Sequence, residues 1–433
     1  MKLLVTNSQS AQAYSIIRAL RPYATKVVAT MEGKHRWAAR TAHAANSRLV
    51  DSRYYVPRAD FDWAAGIIQK ENTEREEAYI QRILEICRLE QIDTIFPSFD
   101  PLVYVFSKNK WQFEKLGIVI PVPSYETLLT PLDKYRTIQA AHKAGFPHPR
   151  TYVPESESDL VRITQELEPP WVLKRRFTVG GAGMDFFTDR ARLQDEISRV
   201  QDSRSMPMIQ EYIPGPQRQN FYLIADRSSE VKALLCPKVI RGANRLYNDN
   251  TASAESTVHH PFVPLVRKLV RELDWQGALT IQTKVDIRDG MSKLIEMNPR
   301  LGLRLWVRTE LGCNEPLMCL KIARGEEVPE FRDYPEGTLL LAPLEDTLRF
   351  PSQVVDSWLY RFRQIRGIRA IDPLNAPPPV TDLIRAYKRD YFSNKKKVFS
   401  PYFRYLLEDP LPCLLWWYAF AGSSLRKVRN LGR

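Results

Sequence analysis

Two runs joined through an Asp-Gly dipeptide, "ALTIQTKVDI" and "KLIEMNPRLG", constrain this chain more than any other stretch. Asp289-Gly290 is a strong hairpin turn, so the runs read as antiparallel strands. Side chains alternate faces along a strand. Glu296 and Asn298 therefore share one face, while Ile295 and Met297 take the other, where an apolar core would want them. Pro299 has no N–H for a ladder and suits a strand end, and Arg300 follows it. Pairing across the turn brings Gln282 near Glu296. Gln282, Glu296 and Asn298 then offer oxygen ligands of the kind Mg²⁺ takes while keeping water and substrate phosphates in its other positions. The competing reading is a solvated polar face, which antiparallel sheets commonly carry.

Upstream, "KLLVT" (2–6), "KVVAT" (26–30) and "IDTIFPS" (92–98) are strand-like and alternate with helix-like stretches. That order implies a parallel sheet with crossover helices. The first turn, "NSQSAQA", lacks GxGxxG, which disfavours a nicotinamide cofactor. One helix is expected between Asp133 and Gly145. "WVLKRRF" and "GMDFFTD" read as strand arms around "TVGGAG". Gly180, Gly181 and Gly183 would let backbone N–H groups approach phosphate, with Lys174 on the preceding arm. No GK[ST] follows, so this is not a P-loop, and a glycine-rich turn is also simply a turn. Then come a helix to about Val200, the strand "MIQEYI", an antiparallel pair "NFYLIAD" and "VKALLCPKVI", and the amphipathic helix "PFVPLVRKLVRELDW".

The order "DKYRTIQAAHKAGFPHPRT", "WVLKRRFTVGGAGM", "IQEYIPG", "IQTKVDIRDGMSKLIEMNPRLG" resembles the ATP-grasp superfamily, most of all the ATP-grasp units of carbamoyl-phosphate synthase and related carboxylate–amine ligases. The last segment is the most specific. The resemblance implies an α/β chain with a parallel-sheet pre-ATP-grasp domain (1–120), a two-lobed ATP-grasp module (121–345, lobes meeting near 210) and a C-terminal extension (346–433). It implies that Lys134 and Lys174 contact the phosphates of ATP, that the glycine loop at 180–183 closes over them, and that Glu211 and Ile213 flank the adenine. Gln282, Glu296 and Asn298 would hold Mg²⁺ or Mn²⁺, and Arg300 would face the transferring phosphate or an acyl phosphate. Arg241 and Arg245 would serve the substrate side. One departure is that "PQRQN" after the turn lacks the glutamate that usually binds ribose, leaving Gln217 in its place. Small carboxylates and amines are the implied substrates. A catalytically inactive ATP-binding regulatory or scaffold protein is the alternative.

Asp100, in "FPSFDP", follows the third strand, where parallel sheets bind ligands. It would hold the amine or, more plainly, cap a helix. The six histidines are scattered, and His259-His260 reads as surface or packing. The five cysteines have no metal-like spacing and suit reduced thiols in a cytoplasmic protein. The N-terminal apolar run is too short for a signal peptide, and no window reaches membrane-span length. From residue 351 onward, 15 Lys/Arg face 6 Asp/Glu, so the tail holds +9 of the net +13. Residues 1–350 carry the other +4, which argues against a charge-driven nucleic-acid binder. "LPCLLWWYAFAGSSLRKVR" suits an anionic membrane surface, reached peripherally, or a protein partner; a core helix is the other reading. "APPPV" reads as a linker or brace.

Overall fold

The computed structural model describes residues 1–33, 41–59, 70–178, 183–200, 206–215, 218–242, 251–257, 260–302, 304–332, 334–365 and 377–431. Four four-stranded sheets organise them. The first contains β1 (Lys2–Val5), β2 (Lys26–Glu32), β3 (Ser52–Val56) and β4 (Thr94–Phe96), ordered β3-β2-β1-β4 and all parallel. Leu3, Leu4, Val5, Val27 and Val28 are fully buried, as a sheet covered on both faces requires. Edge strand β3 was not foreseen, because "SRYYV" exposes Arg53 and Tyr55 and lacks the apolar run of its neighbours. From β1 the chain builds β2 and β3 on one side and then crosses to β4 on the other. The carboxyl ends of β1 and β4 are thus the switch point of the sheet, where such folds form a ligand crevice. Asp100 lies just beyond β4.

The second sheet joins β5 (Thr151–Tyr152), β6 (Trp171–Lys174), β7 (Met184–Phe187) and β8 (Met208–Glu211) in the order β5-β8-β6-β7. The two glycine-loop arms pair as expected, Lys174 opposite Met184. The helix Lys134–Ala144 runs between the anticipated signals: Asp133 accepts from the amides of Tyr135 and Arg136, and Gly145 closes it at φ 72°.

β9 (Arg218–Ala225) and β10 (Val231–Leu235) are followed by β11 (Lys238–Gly242) and β12 (Thr251–Glu255), then β13 (Gly277–Val285) and β14 (Ser292–Asn298). The third sheet is antiparallel, ordered β10-β9-β13-β14. Phe221, Leu223, Leu279, Ile281, Leu294 and Met297 put one face into the main core, against Ile138, Ala141, Val266 and Leu269 of two helices. A register shift puts Glu296 opposite Gln282 but Leu294 opposite Thr283. This bulge leaves Ile295 as the extra residue and changes the facing of the strand. Leu294 rather than Ile295 therefore joins Met297 in the core, correcting the simple alternation.

"VKALLCPKVI", expected as one strand, divides at Pro237, which cannot donate to a ladder. Its second half, β11, enters a fourth sheet with β12, β15 (Leu339–Leu341) and β16 (Lys397–Phe399), ordered β11-β12-β15-β16. β16 pairs parallel with β15, so the C-terminal segment completes this sheet. Of the proline run, 377–379 are described, and Pro379 precedes the helix Val380–Phe392. The terminal helix Pro410–Leu431 returns to the first sheet's helices. Asp409 accepts from Tyr14 Oη at 3.2 Å and Ser47 Oγ at 2.5 Å, and Tyr402 stacks between Tyr14 and Trp416. In its apolar run Cys413 is buried, while Leu411, Leu414, Trp417 and Tyr418 are exposed. No described helix is long and apolar enough to cross a membrane. All five cysteines are buried free thiols.

Candidate functional site

The face of the third sheet opposite its core is polar. Asn220, Gln282 and Glu296 form one row across β9, β13 and β14, and Tyr222, Thr280 and Asn298 form the next. Arg218 stands opposite Lys284. Directly paired residues keep their Cβ atoms about 4.5–5.5 Å apart, so the amide of Gln282 and the carboxylate of Glu296 share a site, as the hairpin implied. Asn298 is 7 % exposed, and its Nδ2, like Asn220 Oδ1, has no hydrogen-bond partner among the described residues. Sequence reasoning passed over Arg218 and Asn220. Their signal was there: Arg218, Asn220 and Tyr222 recur every second residue beside apolar Phe221 and Leu223.

Glu296 is the common anion of a cationic surround. Its charge acts on Lys134, Lys174 and Arg218, and Lys284 acts on Lys174. Lys174, on buried β6, donates from Nζ to Gln210 Oε1 at 2.5 Å. Desolvation by burial lowers its ammonium to about 7, against the pull of Glu296. Lys134 donates to Thr178 O at 2.6 Å and Thr178 Oγ1 at 3.0 Å; burial holds its ammonium below the ordinary lysine range, with Glu296, Asp100 and Asp133 opposing. Arg176 pairs with Asp133 and fixes the start of the Lys134 helix to the glycine-loop arm.

Glu211 and Ile213 stand where the chain leaves the second sheet for the third. Glu211 accepts from Arg150 N at 3.1 Å and Arg288 Nη2 at 2.7 Å, and Ile213 is buried. Burial opposes the charge of Asp286, but Arg288 and Lys293 outweigh it and hold that carboxyl well below the usual range. The turn between them needs glycine. Gly215 has φ 118°, and a Cβ there would lie 2.7 Å from Ile287 Cγ2 and 2.9 Å from Val285 O. Gly215→Ala is expected to cost about 1–3 kcal/mol from strain and overpacking, read as a lower urea midpoint at unchanged m-value.

Arg300 donates from Nε to Asp100 Oδ2 at 2.7 Å. Asp100 begins the helix Asp100–Glu114, whose preceding residue Phe99 gives no side-chain cap, so the capping reading of Asp100 does not hold. Two residues past Arg300, Gly302 lies flat on Tyr222: a Cβ would meet the ring at 2.3 Å.

Gly180, Gly181, Gln217, Arg245 and His259 lie outside the described residues. Gly183 is described, at φ 65°, and its carbonyl accepts from Arg175 N at 2.9 Å. His260 packs against Phe221 and Phe262. Arg241 is a correction. It was expected on the substrate side, but it is 3 % exposed and its guanidinium is engaged by Asp346, Asp390 and Gln353. Its place on β11, in the fourth sheet, takes it out of the polar face.

Among the described residues, no group of three or more His, Cys, Asp or Glu could hold a metal. One carboxylate beside amide oxygens fits a divalent ion only when phosphate oxygens complete its shell, the habit of Mg²⁺.

Residues 132–303 match the family model of the ATP-grasp domain. The arginine-specific large chain of carbamoyl phosphate synthase from Bacillus subtilis is 24% identical over 228 residues, 51% of this chain and 21% of that one. The chain thus spans about a fifth of that relative's length. The biotin carboxylase domain of Hydrogenobacter thermophilus 2-oxoglutarate carboxylase, solved with MgADP, ADP and bicarbonate, aligns with a TM-score of 0.60 at 18% identity, covering 78% of this chain and 73% of that one. N5-carboxyaminoimidazole synthetase from Staphylococcus aureus, solved with ADP, aligns with a TM-score of 0.55 at 12% identity over 77% of this chain and 79% of that one. The fold, the matched segment and the polar face of the third sheet agree: the chain has an ATP-grasp fold, and its residues 132–303 belong to the ATP-grasp domain family.

Proposed function

We propose that this chain is an ATP-dependent carboxylate–amine ligase working through an acyl phosphate, with ATP and Mg²⁺ between the second and third sheets. The observation that carries the reading is Glu296, paired with Gln282 and set among Lys134, Lys174 and Arg218. So many cations around one carboxylate suit a polyanion such as a triphosphate. Similarity to carbamoyl phosphate synthase and to D-alanine–D-alanine ligase supports the same class.

A carboxylate is a poor electrophile. Its oxygen attacks the γ-phosphorus, the bond to the bridging oxygen breaks, and ADP leaves. The amine, having lost the proton of its ammonium form to solvent, then attacks the acyl carbon; inorganic phosphate departs with the electron pair and takes up the second proton, leaving an amide. Lys134 and Lys174 hold and neutralise the phosphates, and Arg300 faces the acyl phosphate. Gln282, Glu296 and Asn298 would hold Mg²⁺, which when bound screens charge on the phosphate oxygens.

Lys174 gives this reading a pH signature. A group titrating near 7 in the free protein becomes fully protonated when a triphosphate arrives, so binding takes up a proton above pH 7. ATP affinity is therefore expected to be highest below pH 7 and to fall by up to about tenfold per unit above it. Calorimetry in buffers of different ionisation heat measures the uptake, and Lys174→Met should abolish it. Affinity flat between about pH 7 and 9 would contradict the assignment.

The functional test is ADP release from MgATP by the purified chain, with pools of small carboxylates and amino acids and hydroxylamine as a trap for acyl phosphates. Release stimulated by a pool, with hydroxamate formed, supports the ligase. Tight MgATP binding without stimulated release from any pool would favour the inactive regulatory or scaffold reading.

A further inference from the structure

The ligase reading leaves the amine without a seat, and the first sheet supplies one. At the switch point between β1 and β4, Thr6 Oγ1 and Ser8 Oγ are buried without a partner among the described residues, while Ser98 and Ser10 are engaged. Ser98 Oγ donates to Thr6 O at 2.7 Å and lies 2.7 Å from Ser10 Oγ. Asp100 adds a carboxylate to this cluster. It is 4 % exposed, and its Oδ2 accepts from Arg300 Nε at 2.7 Å. Its Oδ1 is buried and has no hydrogen-bond partner among the described residues. Leaving a buried carboxylate oxygen without a donor is costly, so this atom calls for a donor that the described residues do not supply. Phe99, not Asp100, is the residue before the helix, and no side chain caps it. Lys134 feels the charge of Asp100, yet its ammonium is held by Thr178. The open oxygen stands on the carboxyl edge of a parallel sheet, the edge that binds ligands, and it is one ion pair away from the arginine of the ATP-grasp sheet.

Resting on the ligase reading for its place in the reaction, we infer that the acceptor enters as a primary ammonium and that Asp100 Oδ1 binds it beside Arg300. A charged donor matches a carboxylate oxygen better than a neutral one does, and an anionic group would be repelled from the same atom. The Asp100–Arg300 pair thereby places the amine on one side of the bridge and the activated acid on the other. Asp100 is a binding residue that selects the acceptor by charge.

The test is binding rather than turnover. The full chain, with Mg²⁺ and a non-hydrolysable ATP analogue, is examined by saturation-transfer NMR against three pools. These are the proteinogenic L-amino acids, the same acids N-acetylated, and simple alkylamines without a carboxylate. Saturation of free-amine compounds is expected, with binding of the N-acetylated pool weaker by about tenfold or more. Asp100→Asn should weaken amine binding to a similar extent. Signals confined to amino acids would assign a zwitterion, and signals from alkylamines too would assign the ammonium alone; both support the subsite. Equal binding of the N-acetylated pool, retained amine binding by Asp100→Asn, or no binding of any free amine would overturn it. Should Asp100→Asn not fold, the comparison of free and acetylated pools on the wild type decides alone. ADP release in the same tubes reports on the ligase separately. Amine binding without release removes the ligase and keeps the subsite, whereas release without binding of any free amine does the reverse.

Discussion

Glu296→Gln is expected to lower MgATP-dependent turnover by about 10²–10³-fold while leaving metal-free ATP binding intact or tighter. The substitution keeps the shape of the side chain and removes only its charge. Glu296 is the one carboxylate in a row with Asn220 and Gln282, so the oxygen set loses its sole formal charge. Lys134, Lys174 and Arg218 lose their shared counter-ion, which raises the positive potential felt by a bare triphosphate. Turnover with Mg²⁺ and ATP affinity in EDTA, measured on both proteins, separate the two effects. Equal losses in both assays would mean that Glu296 holds the structure rather than the ion.

Arg241→Met is expected to destabilise the fold by about 3–5 kcal/mol, because it removes the cation hydrogen-bonded to two buried carboxylates and leaves them only the longer pairs with Arg349 at 3.7 Å and Arg389 at 3.6 Å. Asp346 and Asp390 are 2 % and 0 % exposed. Burial works against the charge of Arg241, but both aspartates act to raise its pKa above the ordinary value. Tyr391 Oη donates to Asp346 at 2.7 Å and Ser253 Oγ to Asp390 at 2.6 Å, so the cluster fastens β11 and β12 to the helices Pro343–Ile365 and Val380–Phe392. Denaturant unfolding gives the loss. ATP affinity of the folded variant at low temperature should match the wild type; a fall in affinity without a fall in stability would return Arg241 to the substrate side.

The hairpin was legible because its two signals are local: period-two polarity in β13 and β14, and an Asp-Gly turn between them. The helix at 134–144 was legible for the same reason, with an aspartate at one end and a glycine at the other. The bulge was not. It turns Ile295 out of the core through a pairing mismatch with β13, and nothing in "KLIEMN" marks it. Arg241 was given the substrate side by resemblance alone, and nothing in "IRGANR" shows that β11 enters another sheet, where Asp346 and Asp390 hold the guanidinium. The C-terminal segment read as an appendage because β16 pairs with β15 only after the helices Pro343–Ile365 and Val380–Phe392 have intervened, and such non-local pairing has no local sequence signature. Asp100 lay between these cases: its strand-end position was visible, but its partner Arg300 is 200 residues away.

The most direct test is electron paramagnetic resonance of Mn²⁺ with the purified chain. MnATP should broaden on adding the wild type and not on adding Glu296→Gln, while Mn²⁺ without nucleotide should remain free. A MnATP spectrum unchanged by the wild-type protein, or Mn²⁺ bound equally well without ATP, would contradict a divalent ion shared between the β13–β14 hairpin and a triphosphate.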